Sequence, residues 1–218
     1  MLSLPFAIVK ATRVGVVSDT HCPEFLERLP SSIAELLADV DLILHAGDVG
    51  STDTLAELGR IAPVEAIRGD HDHGLDLPPR RIVEVAGKRI GLLHGNRSHL
   101  YEEPATFAGT VSLGYWWPSA GLHRFLVRSF PGVDAVVYGH THQAAALQVG
   151  GTLLFNPGAV YQVTPAEARK RLARRPGWFE RSWLEVMRYR RVWPQPSVGM
   201  LEISPEGIIA TILPLTGH

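Results

Sequence analysis

The chain of 218 residues holds one cysteine, Cys22. A single thiol cannot close an intrachain disulfide, which excludes a disulfide scaffold and is compatible with a reducing compartment. No apolar run approaches the roughly 20 residues of a spanning helix, so no membrane partner is expected. Met1 to Lys10 has neither a basic leader nor a long apolar stretch, which argues against an export signal and makes the cytoplasm the expected location. Internal repeats and low-complexity linkers are missing too. Nor is there an excess of one charge: 21 basic residues face 22 acidic ones. On length and composition, 1–218 reads as one domain able to bury a sizeable core.

The near-neutral sum hides opposites. Tyr161 to Pro196 carries nine Lys or Arg against three Glu, a net +6, which leaves −7 on the rest of the chain. Trp178, Trp183 and Trp193 lie in the same stretch, and the other two tryptophans lie in Tyr115-Trp116-Trp117-Pro118, within Asn96 to Pro131. Both stretches break the rhythm of short elements, so 97–131 and 161–196 read as insertions. Thr164-Pro165-Ala166-Glu167 has the residues of a helix start, with an N-cap, proline at N1 and a capping glutamate. From Trp178, the spacing of Phe179, Trp183, Val186 and Met187 predicts an apolar helical stripe, suited to docking on the body or on a second copy of the chain. The sharper alternative is a grip on a nucleotide or nucleic acid by arginine and stacking tryptophan.

The first half alternates strand and helix signals. Arg13–Ser18, Asp41–His45 and Pro63–Ile67 are short apolar runs suited to buried strands. Between them lie two predicted helices. One opens at a capping box, Ser32-Ile33-Ala34-Glu35, and the other covers Ser51–Arg60. That order implies right-handed crossovers and a largely parallel sheet. The second half holds hairpins: Arg81–Ala86 with Arg89–Leu93 about a turn at Gly87-Lys88, Ala144–Val149 with Thr152–Phe155 about Gly150-Gly151, and Val198–Ile203 with Ile208–Leu213 about Pro205-Glu206-Gly207. With Ala135–Tyr138 as a further strand, the count fits an α/β fold of two sheets with helices outside.

Histidine is abundant, ten in all. The predicted strands run into Asp19-Thr20-His21, His45-Ala46-Gly47-Asp48, Gly69-Asp70-His71-Asp72, His94-Gly95 and Gly139-His140-Thr141-His142. Ligand sites of open α/β sheets lie beyond the carboxyl ends of strands. Asp19 and His21 are two residues apart, as are His140 and His142, so an extended segment would turn each pair to one side. Mixed carboxylate and imidazole donors suit first-row transition metals. Some seven donors are too many for one ion; two ions sharing a carboxylate is the natural count.

In that order the five motifs resemble the calcineurin-like metallophosphoesterase superfamily, and in size the chain looks most like its small bacterial and archaeal phosphodiesterases. Asn156-Pro157-Gly158-Ala159 resembles the family's Asn-Pro-Gly-Ser turn. The resemblance spans nearly everything except the two tryptophan-bearing stretches. It implies a four-layer αββα arrangement, a two-sheet β-sandwich flanked by helices. It implies two divalent ions, manganese first, with iron, nickel, cobalt or zinc as alternatives. Asp19, His21, Asp48 and His142 would hold the first; Asp48 would bridge to the second, with Asp70, His94 and His140. His71 would hydrogen-bond the phosphate and protonate the leaving group. The expected reaction is hydrolysis of a phosphodiester by hydroxide held on the ions. The family usually has asparagine where this chain has Asp70, and the added charge should alter metal retention and the balance between diesters and monoesters.

Two other functions follow from the same resemblance. One is a nuclease or nucleotide phosphatase that uses the basic stretch. The other is a non-catalytic scaffold, because the superfamily includes a retromer subunit that has lost histidines from its metal site; this chain keeps His21, His71, His94, His140 and His142. His45 reads as a hydrogen-bonded core residue, Asp72 as an orienting or turn-capping group, and His73, His99, His123 and His218 as background.

Overall fold

A computed structural model describes residues 11–97, 121–189 and 194–215. Tyr115-Trp116-Trp117-Pro118, Trp193, His99 and His218 lie outside them, as do the side chains of Trp178, Phe179, Trp183 and Val186. The described elements run β1 (Thr12–Val17), α1 (Ser32–Leu36), β2 (Leu42–His45), α2 (Thr52–Leu58), β3 (Val64–Ala66), β4 (Arg80–Val85), β5 (Lys88–Leu93), α3 (Leu122–Ser129), β6 (Ala135–Val137), β7 (Ala145–Val149), β8 (Thr152–Asn156), α4 (Pro165–Ala173), α5 (Trp178–Met187), β9 (Ser197–Ser204) and β10 (Gly207–Pro214).

Two five-stranded sheets form, in the orders β10-β9-β1-β2-β3 and β4-β5-β6-β8-β7. In the first, β1, β2 and β3 run parallel out to one edge and β9 and β10 pair antiparallel at the other; in the second, parallel β5, β6 and β8 lie between antiparallel β4 and β7. The side-chain period of two assigns each strand's faces. Val14 and Val16 of β1, Leu44 of β2, Ile90 and Leu92 of β5, Val137 of β6 and Leu201 of β9 point between the sheets and form the central core. Their neighbours in sequence point outward. Val17, Ile43 and Met200 meet Ile33 of α1, Leu37 just after it and Leu58 of α2, while Leu93, Val136 and Leu154 meet Leu122 and Leu126 of α3. Burial on both faces explains why these strands read as continuous apolar runs rather than alternating ones. The order helix, sheet, sheet, helix is the expected four-layer α/β sandwich.

Some boundaries differ from the sequence reading. Ser32 does not cap α1; it is already helical, and Ser31 before it makes no side-chain cap bond. Ile33 N–H donates to Pro30 C=O (3.1 Å) and Ala34 N–H to Ser31 C=O (3.1 Å), so a tight turn takes the amides that a cap would have served. The first hairpin turns at Ala86-Gly87, one residue early, with Val85 paired to Lys88. Both turn residues have positive φ (48° and 78°), as a two-residue primed turn requires. Helix α4 begins as expected: Thr164 Oγ accepts from Glu167 N–H, and proline occupies the first turn.

Candidate metal centre

Parallel pairing puts the carboxyl ends of β1, β2 and β3 side by side in one sheet, and those of β5 and β6 in the other. The loops beyond them are stitched together by the backbone. Asp19 and His21 donate to the carbonyls of Gly47 and Asp48 (3.0 Å each), and Gly139 donates to that of His94 (3.0 Å). The seam between sheets closes where His140 N–H reaches the Asp19 carboxylate, 3.2 Å from either oxygen.

The expectation that extended backbone aligns Asp19 with His21, and His140 with His142, does not hold. Both pairs have left-handed backbone instead. Asp19 (53°), His21 (47°), Asp48 (54°), His140 (65°) and His142 (54°) all have positive φ, five of the seven such non-glycine residues among those described. Aspartate and histidine tolerate this region better than most side chains, and strained backbone of this kind gathers at functional sites.

All eight residues singled out in the sequence converge. Candidate donor atoms of Asp19, His21 and His142 lie within 4.8 Å of one another, as do those of Asp70, His94 and His140. Asp48 stands between the groups: its Oδ2 is 3.4 Å from His21 Nε2 and 3.3 Å from His94 Nε2. Asp19 Oδ1 lies 3.3 Å from His142 Nε2, and Asp70 Oδ1 lies 3.0 Å from His94 Nε2 and 3.5 Å from His140 Nδ1. His71 joins Asp48 and Asp70 in a further group, and its N–H donates to Asp48 Oδ1 (2.9 Å).

The donor set fits divalent cations. His94 is turned by a bond between its Nδ1 and Ala46 C=O (2.8 Å), which leaves Nε2 as the acceptor facing the carboxylates. That Nε2 and His21 Nδ1 are buried and make no hydrogen bond among the described residues. Burial would raise the Asp19 carboxyl, but the surrounding His142, His94 and His21 hold it well below the usual carboxylate range. Asp70 is likewise held low against burial, by His140 and His94. Burial presses His21 down to about 4, outweighing Asp48 and Asp19, so its ring is neutral and able to ligate. Burial also opposes a charge on His94, yet Asp48, Asp70 and Asp19 raise it well above its ordinary value: a cation is favoured where these groups meet.

Supporting groups surround the cluster. The Asp72 carboxylate accepts from Gly50 N–H (2.9 Å) and Gly69 N–H (2.8 Å), tying two of the loops. Buried His45 accepts from Gly47 N–H at Nδ1 (3.3 Å) and meets Thr20 Oγ1 at Nε2 (3.1 Å), the core role expected of it. Asn156 Nδ2 donates to Gly139 C=O (2.9 Å) and Thr141 Oγ1 (3.1 Å), which steadies the loop bearing His140 and His142. Sequence reasoning missed Glu24. Its carboxylate lies 3.3 Å from His71 Nδ1 and 3.8 Å from His21 Nδ1, brought there by the chain's path after Cys22-Pro23, which no motif announced. The basic stretch also reaches the centre. Arg171 of α4 bonds Glu180 and Tyr161 and sits 4.2 Å over Phe25; Phe25 and Tyr161 stack on each other (5.0 Å) and both face His21.

Residues 12–173 match the calcineurin-like phosphoesterase superfamily domain. A probable metallophosphoesterase of Methanothermobacter thermautotrophicus is 36% identical over 148 residues, covering 67% of this chain and 76% of its own. Another, of Methanocaldococcus jannaschii, is 32% identical over 146 residues, covering 67% of each chain. Among solved structures, the zinc complex of Vps29 from Entamoeba histolytica superimposes with a TM-score of 0.59 at 20% identity, over 92% of this chain and 97% of its own. The matched family domain spans the strand ends just described, from the Asp19 loop to the His142 loop. The chain belongs to the calcineurin-like phosphoesterase superfamily.

Proposed function

We propose that this protein is a two-metal phosphodiesterase whose ions are held by Asp19, His21, Asp48 and His142 and by Asp48, Asp70, His94 and His140. The observation that carries the reading is the place of Asp48 Oδ2, nearly equidistant from His21 Nε2 (3.4 Å) and His94 Nε2 (3.3 Å), with one donor group on either side. When bound, two divalent ions would supply Lewis-acid activation of water and neutralise phosphoryl charge. The chain's own residues do the rest. Asp19 and Asp48 hold their charge in a buried setting and fix the spacing of the two groups. His71, half exposed at the rim and faced on Nδ1 by Glu24, presents its ring to the substrate and hands a proton to the departing alkoxide. Manganese is the first candidate ion, and the cytoplasm the location. Residues 1–218 act as one domain elaborated at 97–131 and 161–196.

The test is hydrolysis of bis-nitrophenyl phosphate by purified protein with manganese, and again after EDTA. Turnover that is abolished by chelation and restored by the ion is expected; inactivity with every divalent ion tried would refute the assignment. His71→Ala should lower turnover about 10²–10⁴-fold on alkyl esters and much less on nitrophenyl esters, because nitrophenolate needs no proton to leave. The scaffold reading draws on the likeness to Vps29. Since one such Vps29 was solved with zinc, metal uptake alone does not separate the two readings, and turnover decides.

A further inference from the structure

Helices α4 and α5 and the residues just after each border an open cleft of about 400 Å³ lined by Arg169, Leu172, Arg175, Arg181, Glu185 and Arg188. Four guanidinium groups meet one carboxylate there. That carboxylate is taken: Glu185 pairs with Arg188 Nε at 3.0 Å, and Arg188 also donates to Tyr189 Oη (2.6 Å). Arg169, Arg175 and Arg181 have no acidic partner among the described residues. Arg171 lies between Arg169 and Leu172 in sequence but turns away, to Glu180 and Tyr161, so the cleft cations are a set apart from the brace against the metal centre. Three arginines without an acidic partner among the described residues, on a small concave surface within a +6 stretch of a chain that is otherwise −7, form an acceptor for anions.

We propose that this cleft is a second binding site, independent of the metal centre, for a diphosphate group carried on a small molecule. Guanidinium forks match phosphate oxygens two at a time, so three of them suit two linked phosphates better than one. Helical spacing aligns Arg169 with Leu172, which supplies an apolar floor for whatever bears the diphosphate. The volume falls in the ordinary range for small-molecule sites and is too small to enclose a nucleic acid, which would instead have to ride across it.

The experiment is titration calorimetry on the metal-loaded full chain with inorganic pyrophosphate and with ADP, and with a single-stranded oligonucleotide as a third arm. Saturable binding of ADP or pyrophosphate is expected. It should weaken with salt, weaken about tenfold or more in Arg181→Gln, and strengthen in Glu185→Gln, which releases Arg188. Turnover of bis-nitrophenyl phosphate should not change in either variant. Binding by pyrophosphate alone would make the diphosphate sufficient; binding by ADP alone would make its carrier part of the ligand. Equal affinity in wild type and Arg181→Gln overturns the proposal, as does binding by the oligonucleotide only. Loss of the binding event in Asp48→Asn, with Arg181→Gln unaffected, overturns it by returning the anion to the metal centre. Retention in Asp48→Asn keeps the cleft site standing even where the phosphodiesterase reading fails.

Discussion

Asp70 shows how much chemistry one atom can carry. Its Oδ1 lies 3.0 Å from His94 Nε2 and 3.5 Å from His140 Nδ1, and those rings keep it charged. Asn at this position would keep an oxygen donor and remove the charge. Asp70→Asn should therefore release the second ion more readily in dialysis and raise turnover of nitrophenyl phosphate relative to the bis-nitrophenyl diester, since a dianionic monoester would meet less repulsion. Unchanged metal content and an unchanged ratio would sink that account. His45 acts on stability instead. Burial lowers it to about 4 from 6.5, so between those values the unfolded chain takes up a proton that the folded chain refuses. Stability conferred by the neutral ring is complete above the unfolded value and is lost as pH falls toward 4. Denaturant unfolding at pH 7 and pH 4.5 should show wild type losing on the order of 2–3 kcal/mol more than His45→Gln across that interval. Parallel losses in the two proteins would show that the ring plays no part.

At the scale of elements, the strands were legible and their ends less so. Val14, Val16, Ile90 and Leu92 form apolar runs wherever they are read, but the turn at Ala86-Gly87 and the uncapped start of α1 depend on local hydrogen bonding that a one-residue shift barely alters in sequence. The site loops were legible as motifs, while their conformation was not: no spacing rule distinguishes an extended Asp19-Thr20-His21 from one with left-handed backbone at Asp19 and His21. The β3 loop supplies a sharp test of this local geometry. A Cβ on Gly69 would overlap the Asp48 carboxylate and lie 2.5 Å from the Asp48 nitrogen. Gly69→Ala should cost about 1–3 kcal/mol through overpacking and lower metal uptake by displacing the Asp48 carboxylate. Elemental analysis alongside an unfolding curve checks both effects, and a fully loaded, equally stable variant would contradict the geometry.

Across the whole molecule, the centre joins the two sheets. Asp19, His21, Asp48 and Asp70 follow strands of one sheet, and His94, His140 and His142 follow strands of the other. An ion that binds only the folded chain stabilises it by about 2.7 kcal/mol at a hundred times its dissociation constant. For a chain of this length, that corresponds to roughly 5–10 °C. EDTA should thus lower the thermal midpoint by about that amount, and manganese should restore it; a midpoint indifferent to both would mean that no ion binds the folded chain at this centre. The sequence by itself determined which residues are candidate metal donors and which segments are strands, because donor types and apolar runs are local properties. It also held the split into a +6 stretch and a −7 body. Only the tertiary structure decided that Asp48 stands between two donor groups, that Glu24 faces His71, and that Arg171 braces Phe25 and Tyr161 while its neighbours line a cleft. Those facts depend on strand order and on contacts between segments far apart in the chain, which no single window of sequence contains.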